Sequence, residues 1–188
     1  MSDEGISRWR LIQSLFAAQI PRFTGVAVVA SSGVPKAPSG RRVASPTSNG
    51  ITLDPAPLER IWYQLLIEYF PDHPELPLYK VLWSPRQQKR VLASCDMLGK
   101  RVRVARELAR PEYESFLPAL LYHEMCHAVI GRDVERRNGA RLWHGPQFKA
   151  LEARHPGSAL LQKWITEGGW ATAVRRDRAF AAARRRKQ

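Results

Sequence analysis

The sequence is poor in cysteine, in long apolar runs and in acidic residues for its 188 positions. Two cysteines, Cys95 and Cys126, are too few for a disulfide framework or a four-cysteine zinc site, and they favour a reducing, cytoplasmic compartment. No apolar run approaches the roughly 18 residues of a membrane-spanning helix. The opening Met-Ser-Asp-Glu also argues against a signal peptide. Membrane-spanning and disulfide-stabilised classes are therefore excluded, and no membrane partner is expected.

The shortage of acidic residues leaves a formal net charge of +13, which favours a polyanionic partner. The charge is uneven, because residues 51–83 are mainly acidic whereas 84–110 and 171–188 are strongly basic. Clustered cations bind DNA without sequence preference by releasing counterions. The candidate nucleic-acid residues are the cations of the last segment: Arg175, Arg176, Arg178, Arg184, Arg185, Arg186 and Lys187. The alternative is that these arginines only keep the chain soluble.

Composition predicts three regions. Residues 1–50 form a Ser-, Pro- and Gly-rich N-terminal arm or linker that we expect to be largely disordered, 51–170 form a folded domain, and 171–188 form an Arg-rich tail. Within the domain, apolar periodicity predicts a helix from Asp54-Pro55 to Phe70-Pro71 and another over residues 116–130 that ends at Gly131. Further helices should begin near Pro146 and Ser158.

Between the first two helices the pattern predicts three strands. Residues 79–83 form the first, and 91–98 and 101–104 flank Gly99-Lys100, a two-residue hairpin signal with Gly in the first position. The alternation of Arg and Val over 101–104 is typical of a strand with one buried face. The order of elements predicts an α+β fold with a three-stranded, antiparallel-containing sheet. If strand 101–104 lies at the sheet edge, it could pair with an extended substrate.

The second predicted helix contains the sequence His123-Glu-Met-Cys-His127. Positions i and i+4 lie on one face of a helix, so both imidazoles can reach a single ion. Glu124 is rotated by about 100° and projects to the side of that ion, where a carboxylate can take a proton from an attacking water. This is the H-E-x-x-H arrangement of zinc peptidases. The apolar neighbours in the same helix disfavour the alternative of two solvated histidines.

A catalytic zinc ion has three protein ligands and an open position, so a third ligand must come from elsewhere. His144 is the strongest candidate, since it precedes a helix that starts at Gly145-Pro146 and lies 17 residues after His127. Three alternatives remain open at this stage, namely Asp133, Glu152 and His155. Asp133 lacks the glycine that its pattern requires at position 130, Glu152 lacks the sequence setting of a thermolysin-like ligand, and His155 precedes a proline.

The two motifs, His-Glu-Met-Cys-His and Trp-His-Gly-Pro-Gln-Phe, resemble those of the SprT-like zinc metallopeptidases of the Spartan/SprT type. The resemblance extends over residues 51–170 and implies that His123, His127 and His144 bind one Zn²⁺ and that Glu124 is the general base. The sequence departs from many relatives because an Arg-rich tail stands where they carry a Cys-rich zinc ribbon. The YgjP-like peptidases, with a much shorter interval before the last His, are a second possible group.

Together these features predict a zinc endopeptidase that cleaves protein or peptide substrates bound or cross-linked to DNA. We expect it in the cytoplasm, and on the nucleoid if the source is bacterial. Two alternatives remain: a general intracellular zinc protease with no nucleic-acid partner, and a non-catalytic basic DNA-binding module on the same fold. An intact Glu124 speaks against the second alternative.

Overall fold

A computed structural model of the chain describes residues 53–131, 136–137 and 140–187. The helices are α1 (Ala56–Tyr69), α2 (Leu117–Ile130), α3 (Pro146–Glu152), α4 (Ser158–Thr166) and α5 (Gly169–Arg185), with 3-10 helices at Leu76–Leu78, Arg106–Leu108 and Pro111–Phe116. The strands are β1 (Lys80–Trp83), β2 (Ala93–Asp96), β3 (Arg101–Val104), β4 (Arg136–Arg137) and β5 (Ala140–Arg141). The predicted α+β class is confirmed. The predicted N-terminal arm lies outside the described residues.

Helix α1 forms because apolar residues recur at helical spacing along one face. Leu58, Trp62 and Leu65 lie on that face and are buried. The Trp62 indole N–H donates to the carbonyl of Leu76 at 3.1 Å, which attaches α1 to the segment leading into β1. The helix ends before Pro71, as predicted, because a residue preceding proline avoids helical geometry.

The three-stranded sheet is mixed and has the order β1-β3-β2. Strand β1 runs parallel to β3, and β2 runs antiparallel to it. The condition under which β3 could pair with a substrate is therefore not met, because backbone hydrogen bonds to β1 and β2 occupy both of its edges. Among the described strands of this sheet, β1 and β2 are the edges. The sequence could not show this, since the return of β1 beside β3 is a tertiary contact.

The β2–β3 connection also differs from the prediction. It contains four residues, 97–100, rather than two, and Lys100, not Gly99, has the positive φ of 47°. The N–H of Gly99 donates to Asp96 Oδ1 at 2.9 Å, and a Cβ at this position would require the Asp96 carboxylate to shift. The local sequence therefore predicted the turn correctly but not its length.

Helices α1 and α2 pack on the same face of the sheet, and the core lies between the two helices and the sheet. The alternation in β3 places Val102 and Val104 in this core, fully buried, while Arg101 is exposed on the opposite face. Helix α2 lies against β2, so the active-site sequence is held on the sheet itself. In the described part of the chain, no helix is both long enough and apolar enough to span a membrane.

Helix α5 continues from the domain into the predicted tail without interruption. The boundary predicted at residue 171 lies inside this helix, next to the buried residues Trp170, Ala173 and Val174. Residues 169–185 are helical in the protein alone. The apolar residues at the start of α5 are packed against the domain, and the arginines lie on the helix from Arg175 onward.

Candidate metal centre

Helix α2 places His123, Glu124 and His127 inside the protein rather than on its surface. Its other residues are mainly apolar, so most of the helix is buried, and His123 and Glu124 are 6% and 1% exposed. The helix ends at Gly131, whose φ of 61° lets its N–H return to the carbonyl of His127 at 3.0 Å. Two imidazoles therefore lie one turn apart in a nearly dry environment.

His144 reaches the same place from the turn that follows β5. The N–H of Gly145 donates to the carbonyl of Leu142 at 3.0 Å, which closes this turn directly before α3. His144 Nε2 lies 3.1 Å from His127 Nε2. One nitrogen from each of His123, His127 and His144 lies within 4.8 Å of the other two, so the three residues could hold a metal ion. The structure thus brings together all three predicted ligands.

Helix α3 supplies the wall of this cluster. Phe148 is 2% exposed, and its ring centroid lies 4.9, 4.5 and 4.8 Å from those of His123, His127 and His144. One aromatic side chain therefore contacts every imidazole and excludes water from one side. Phe148 ends the Trp-His-Gly-Pro-Gln-Phe motif, but the sequence did not indicate this contact.

Glu152, one helical turn after Phe148, approaches His123 from the side opposite the cluster. Its Oε1 lies 2.6 Å from His123 Nδ1. Among the described residues, Glu152 is not part of the group that could hold a metal. The spacing of four residues from Phe148 is a signal that both side chains share one face of α3, but the sequence does not show what that face contacts.

The other two alternatives for the third ligand lie apart from the cluster or cannot be placed. His155 packs against Tyr69 and Tyr122, with ring centroids 5.7 and 5.1 Å away, and its Nδ1 accepts the N–H of Gly157. Asp133 lies outside the described residues.

Burial and mutual repulsion keep two of the imidazoles neutral. Burial, followed by the charge of His123, lowers the pKa of His144 to about 4, and burial lowers that of His127 well below its ordinary value. For His123 burial also lowers the pKa, but the Glu152 hydrogen bond and the charges of Glu124 and Glu152 outweigh it, and the net shift is upward. Neutral imidazoles offer the lone pairs that a cation needs.

Glu124 is a buried acid beside these rings. Burial raises its pKa to about 7, with the charge of His123 opposing the rise and that of Glu152 adding to it. Its Oε1 is buried and makes no hydrogen bond to the described residues. A buried carboxylate with a raised pKa is a strong proton acceptor when it is ionised.

The donor set fits zinc. Three histidine nitrogens are a common protein ligand set for a catalytic zinc ion, and they leave a position for water. A distance of 3.1 Å between two neutral imidazole nitrogens is unfavourable if both present lone pairs, and a shared cation removes this repulsion. Among the described residues, the buried Oε1 of Glu124 has no hydrogen-bond partner, so it is available to act as a base.

The comparison with protein families decides the classification. The model of the SprT-like family matches residues 58–160, more than half of the chain. The chain belongs to the SprT-like family. The match begins in α1, includes α2 and α3 with all four predicted site residues, and ends in α4. Searches of the curated proteins and of the solved structures found no match. A zinc-dependent, protease-like domain follows from the family, and the three-histidine cluster is consistent with it.

In this SprT-like chain, the predicted nucleic-acid residues lie on α5 or directly after it. The seven side chains are all exposed: Arg175, Arg176, Arg178, Arg184, Arg185, Arg186 and Lys187. Arg176 lies 3.8 Å from Glu112, and Arg175 donates to Thr172 Oγ1 at 2.9 Å. Exposed ion pairs of this kind contribute little to stability, so they do not explain the cluster.

Sequence reasoning missed the contact that brings the two basic segments together. Gln87 Nε2 donates to Asp177 Oδ2 at 2.6 Å, joining the loop after β1 to the middle of α5. The Arg110 guanidinium lies 4.0 Å from the ring centroid of Phe180 and 3.9 Å from Asp177 Oδ1. The sequence signal for this contact was Asp177, the single acid within a run of arginines.

Proposed function

We propose that the protein is a zinc endopeptidase that cleaves proteins bound or cross-linked to DNA. The observation that carries the catalytic part is the convergence of His123, His127 and His144 beside the buried carboxylate of Glu124. The family supports a zinc-dependent protease-like domain, and the proposal adds the substrate class and the DNA partner.

Each residue of the centre has a separate task. His123, His127 and His144 would each hold the ion through one unprotonated ring nitrogen. A bound zinc ion supplies a Lewis acid that polarises the scissile carbonyl and brings the pKa of water toward neutrality. Glu124 takes the proton from the attacking water and delivers it to the leaving amine. Phe148 excludes water from the opposite side of the rings, which strengthens the electrostatic interactions there.

The free edge of β2 is the feature that favours unfolded substrates. Strand β2 pairs with β3 on one side only within the described sheet, and it lies against α2. An extended polypeptide can add to such an edge through backbone hydrogen bonds, whereas a folded protein cannot. This role, predicted for strand 101–104 from the sequence, therefore moves to residues 93–96.

The DNA partner is supported by the joined basic segments. The contact between Gln87 and Asp177 brings the loop carrying Arg86, Lys89 and Arg90 next to α5. We call the exposed cations of loop 85–91 and of α5 the basic surface. Because its two parts come from segments about 90 positions apart, it is a property of the fold rather than of a tail. A surface of this kind neutralises phosphates with strong salt dependence.

The catalytic proposal is tested with the zinc-loaded full-length protein and denatured casein. We expect the wild type to cleave casein, and Glu124→Gln to bind zinc equally but to cleave about 10²–10⁴-fold more slowly. Full activity of Glu124→Gln would show that another group is the base. Tightly folded substrates should be cleaved more slowly than denatured ones, and equal rates would contradict the role of the β2 edge.

The DNA proposal needs its own measurement. Filter binding at low and high salt should give measurable affinity at low salt that falls steeply as salt rises. Adding DNA should stimulate cleavage of a DNA-bound protein substrate more than cleavage of free casein. Absence of binding at low salt would leave a zinc protease without a nucleic-acid partner.

A further inference from the structure

Glu152 contacts the metal centre without belonging to its ligand group. The carboxylate lies at the end of α3, and its Oε1 is 2.6 Å from His123 Nδ1. We propose that Glu152 is the positioning residue of the centre, which sets the tautomer and ring orientation of His123 so that Nε2 faces the other two imidazoles. The inference rests on the proposed zinc site but not on the substrate.

The tautomer follows from the chemistry of the two partners. An ionised carboxylate only accepts hydrogen bonds, so the nitrogen that meets it must carry the proton. A neutral imidazole has one N–H, and placing that proton on Nδ1 leaves the lone pair on Nε2. The hydrogen bond also restricts rotation of the ring about χ2. Carboxylates that contact the outer nitrogen of a liganding histidine raise its basicity and its preorganisation in this way.

The backbone around Glu152 is held by the same helix that carries His123. Tyr122, the residue before His123, donates its hydroxyl to the carbonyl of Leu151 at 3.0 Å. Tyr122 is fully buried and stacks on Phe70 with ring centroids 5.4 Å apart, so its hydroxyl is itself fixed. The backbone beside Glu152 is therefore held by Tyr122, and the ring that Glu152 orients belongs to the next residue of α2, His123.

A second contact fixes the end of α3 from the other side. Ser158 Oγ donates to the carbonyl of Glu152 at 2.8 Å, at the first residue of α4. The side chain of Glu152 is 23% exposed, while that of His123 is 8% exposed. The hydrogen bond is therefore largely shielded from water, where a charge-assisted bond is strong. These contacts make Glu152 a rigid support rather than a mobile surface acid.

The test compares Glu152→Ala and Glu152→Gln with the wild type in the full-length protein. The matched control is Glu167→Ala, which removes an exposed glutamate directly after α4 whose side chain forms a 3.8 Å ion pair with Lys163. Zinc affinity is measured by competition with a chromophoric chelator, independently of cleavage. Long-range ¹H–¹⁵N spectra of the histidine rings report which nitrogen of His123 is protonated, with and without zinc.

We expect Glu152→Ala to lose about 10–100-fold in zinc affinity and to lose the single Nδ1–H tautomer of His123. Glu152→Gln keeps an oxygen acceptor and should retain the tautomer and most of the affinity. The control should match the wild type in both measurements. Because Glu152→Gln is nearly isosteric, it keeps the test informative even if the alanine variant unfolds.

Three results would overturn the proposal. One is a Glu152→Ala protein with wild-type affinity and an unchanged His123 spectrum. Another is an equal loss in the Gln and Ala variants with the tautomer intact, which would indicate a ligand or a charge effect instead. The third is a wild type that binds no zinc. A protein that binds zinc with the predicted dependence on Glu152 but cleaves nothing would contradict the proposed function alone.

Discussion

Helices α2 and α5 carry the candidate functional side chains of the protein in opposite environments. In α2, 11 of 14 residues are buried, whereas in α5 only four of 17 are, so α2 is positioned by packing and α5 projects charge into water. Polar groups in α2 must be partnered or have their pKa values shifted, while the cations of α5 are exposed to solvent. We therefore expect substitutions in α2, or in residues that pack against it, to alter the geometry of the histidine cluster. Substitutions of the α5 cations should alter only the surface charge.

The same comparison explains how each region obtains its partners. The imidazoles of α2 meet through contacts with α3 and with the turn at His144. Helix α5 is joined to the domain by its buried apolar residues, such as Trp170 and Val174, and by its one acid, Asp177, which is 4% exposed. A buried site therefore depends on several side chains that pack together. A charged surface requires only contacts that hold its helix on the domain and access to solvent.

The largest effect is expected from the aromatic wall of the centre. Phe148→Ala removes the side chain that contacts all three imidazoles and leaves a cavity in the core. We expect the free energy of unfolding to fall by about 3–5 kcal/mol, as for other buried phenylalanines. Denaturant unfolding of the metal-free protein measures this. A loss below about 1 kcal/mol would mean that the rings do not depend on this wall.

His144→Ala tests whether the third ring completes the site. Removing one of three nitrogens should weaken zinc binding by about 100-fold or more, beyond the loss expected for a supporting residue. Metal analysis of purified wild type and variant, together with chelator competition, measures this. His155→Ala is the matched control, because His155 packs on Tyr122 and lies outside the three-histidine group. Equal zinc retention in His144→Ala and wild type would contradict the ligand assignment.

Glu124→Gln should make the metal-free protein more stable at alkaline pH. Burial raises the pKa of Glu124 to about 7 from 4.5, so between these values the folded state keeps a proton that the unfolded state has lost. The contribution of Glu124 to the free energy of unfolding therefore decreases as pH rises through this window. Above pH 7 the variant should be more stable by about 1–3 kcal/mol.

Thermal or urea unfolding of both proteins at pH 5 and pH 8 checks this. The charge of Glu124 also raises the pKa of His123, so the comparison reports the carboxylate together with its interaction with that ring. Their stabilities should be close at pH 5 and should differ at pH 8. A constant difference across this range would mean that Glu124 is not a buried acid in solution.

The smallest effect on stability is expected in α5. Replacing Arg185 and Arg186 by Gln should change the free energy of unfolding by less than about 0.5 kcal/mol, because both side chains are exposed. The salt dependence of DNA binding should nevertheless weaken by about one unit of slope per lost phosphate contact. The control replaces the exposed cations Arg60 and Lys163, which lie on α1 and α4. An equal effect of the control pair would show that net charge, not the basic surface, binds DNA.

Local patterns were sufficient for most of the architecture. Apolar periodicity predicted α1 and α2, and the Pro and Gly signals predicted where α2 and α3 end and begin. The H-E-x-x-H spacing predicted that His123 and His127 share a face, because that relation depends only on helix geometry. The Trp-His-Gly-Pro motif singled out His144, and the structure brings it to the other two rings.

Relations between distant segments were missed. Strand 101–104 could have paired with a substrate only at a sheet edge, and β1 pairs with it there instead. The support of His123 by Glu152 and the contact of Gln87 with Asp177 each join residues that are far apart in sequence. The tertiary structure alone creates these distances.

What the sequence determined by itself is the set of local geometries: the α+β order of elements, two imidazoles on one helix face, an adjacent acid and two basic segments. These follow from backbone periodicity, residue type and composition, which act over a few residues. What the tertiary structure decided is which of these parts meet. It brings His144 to His127, Phe148 to all three rings, and the loop after β1 to α5. Such meetings depend on how several helices and a sheet bury a shared core, and no single segment carries that information.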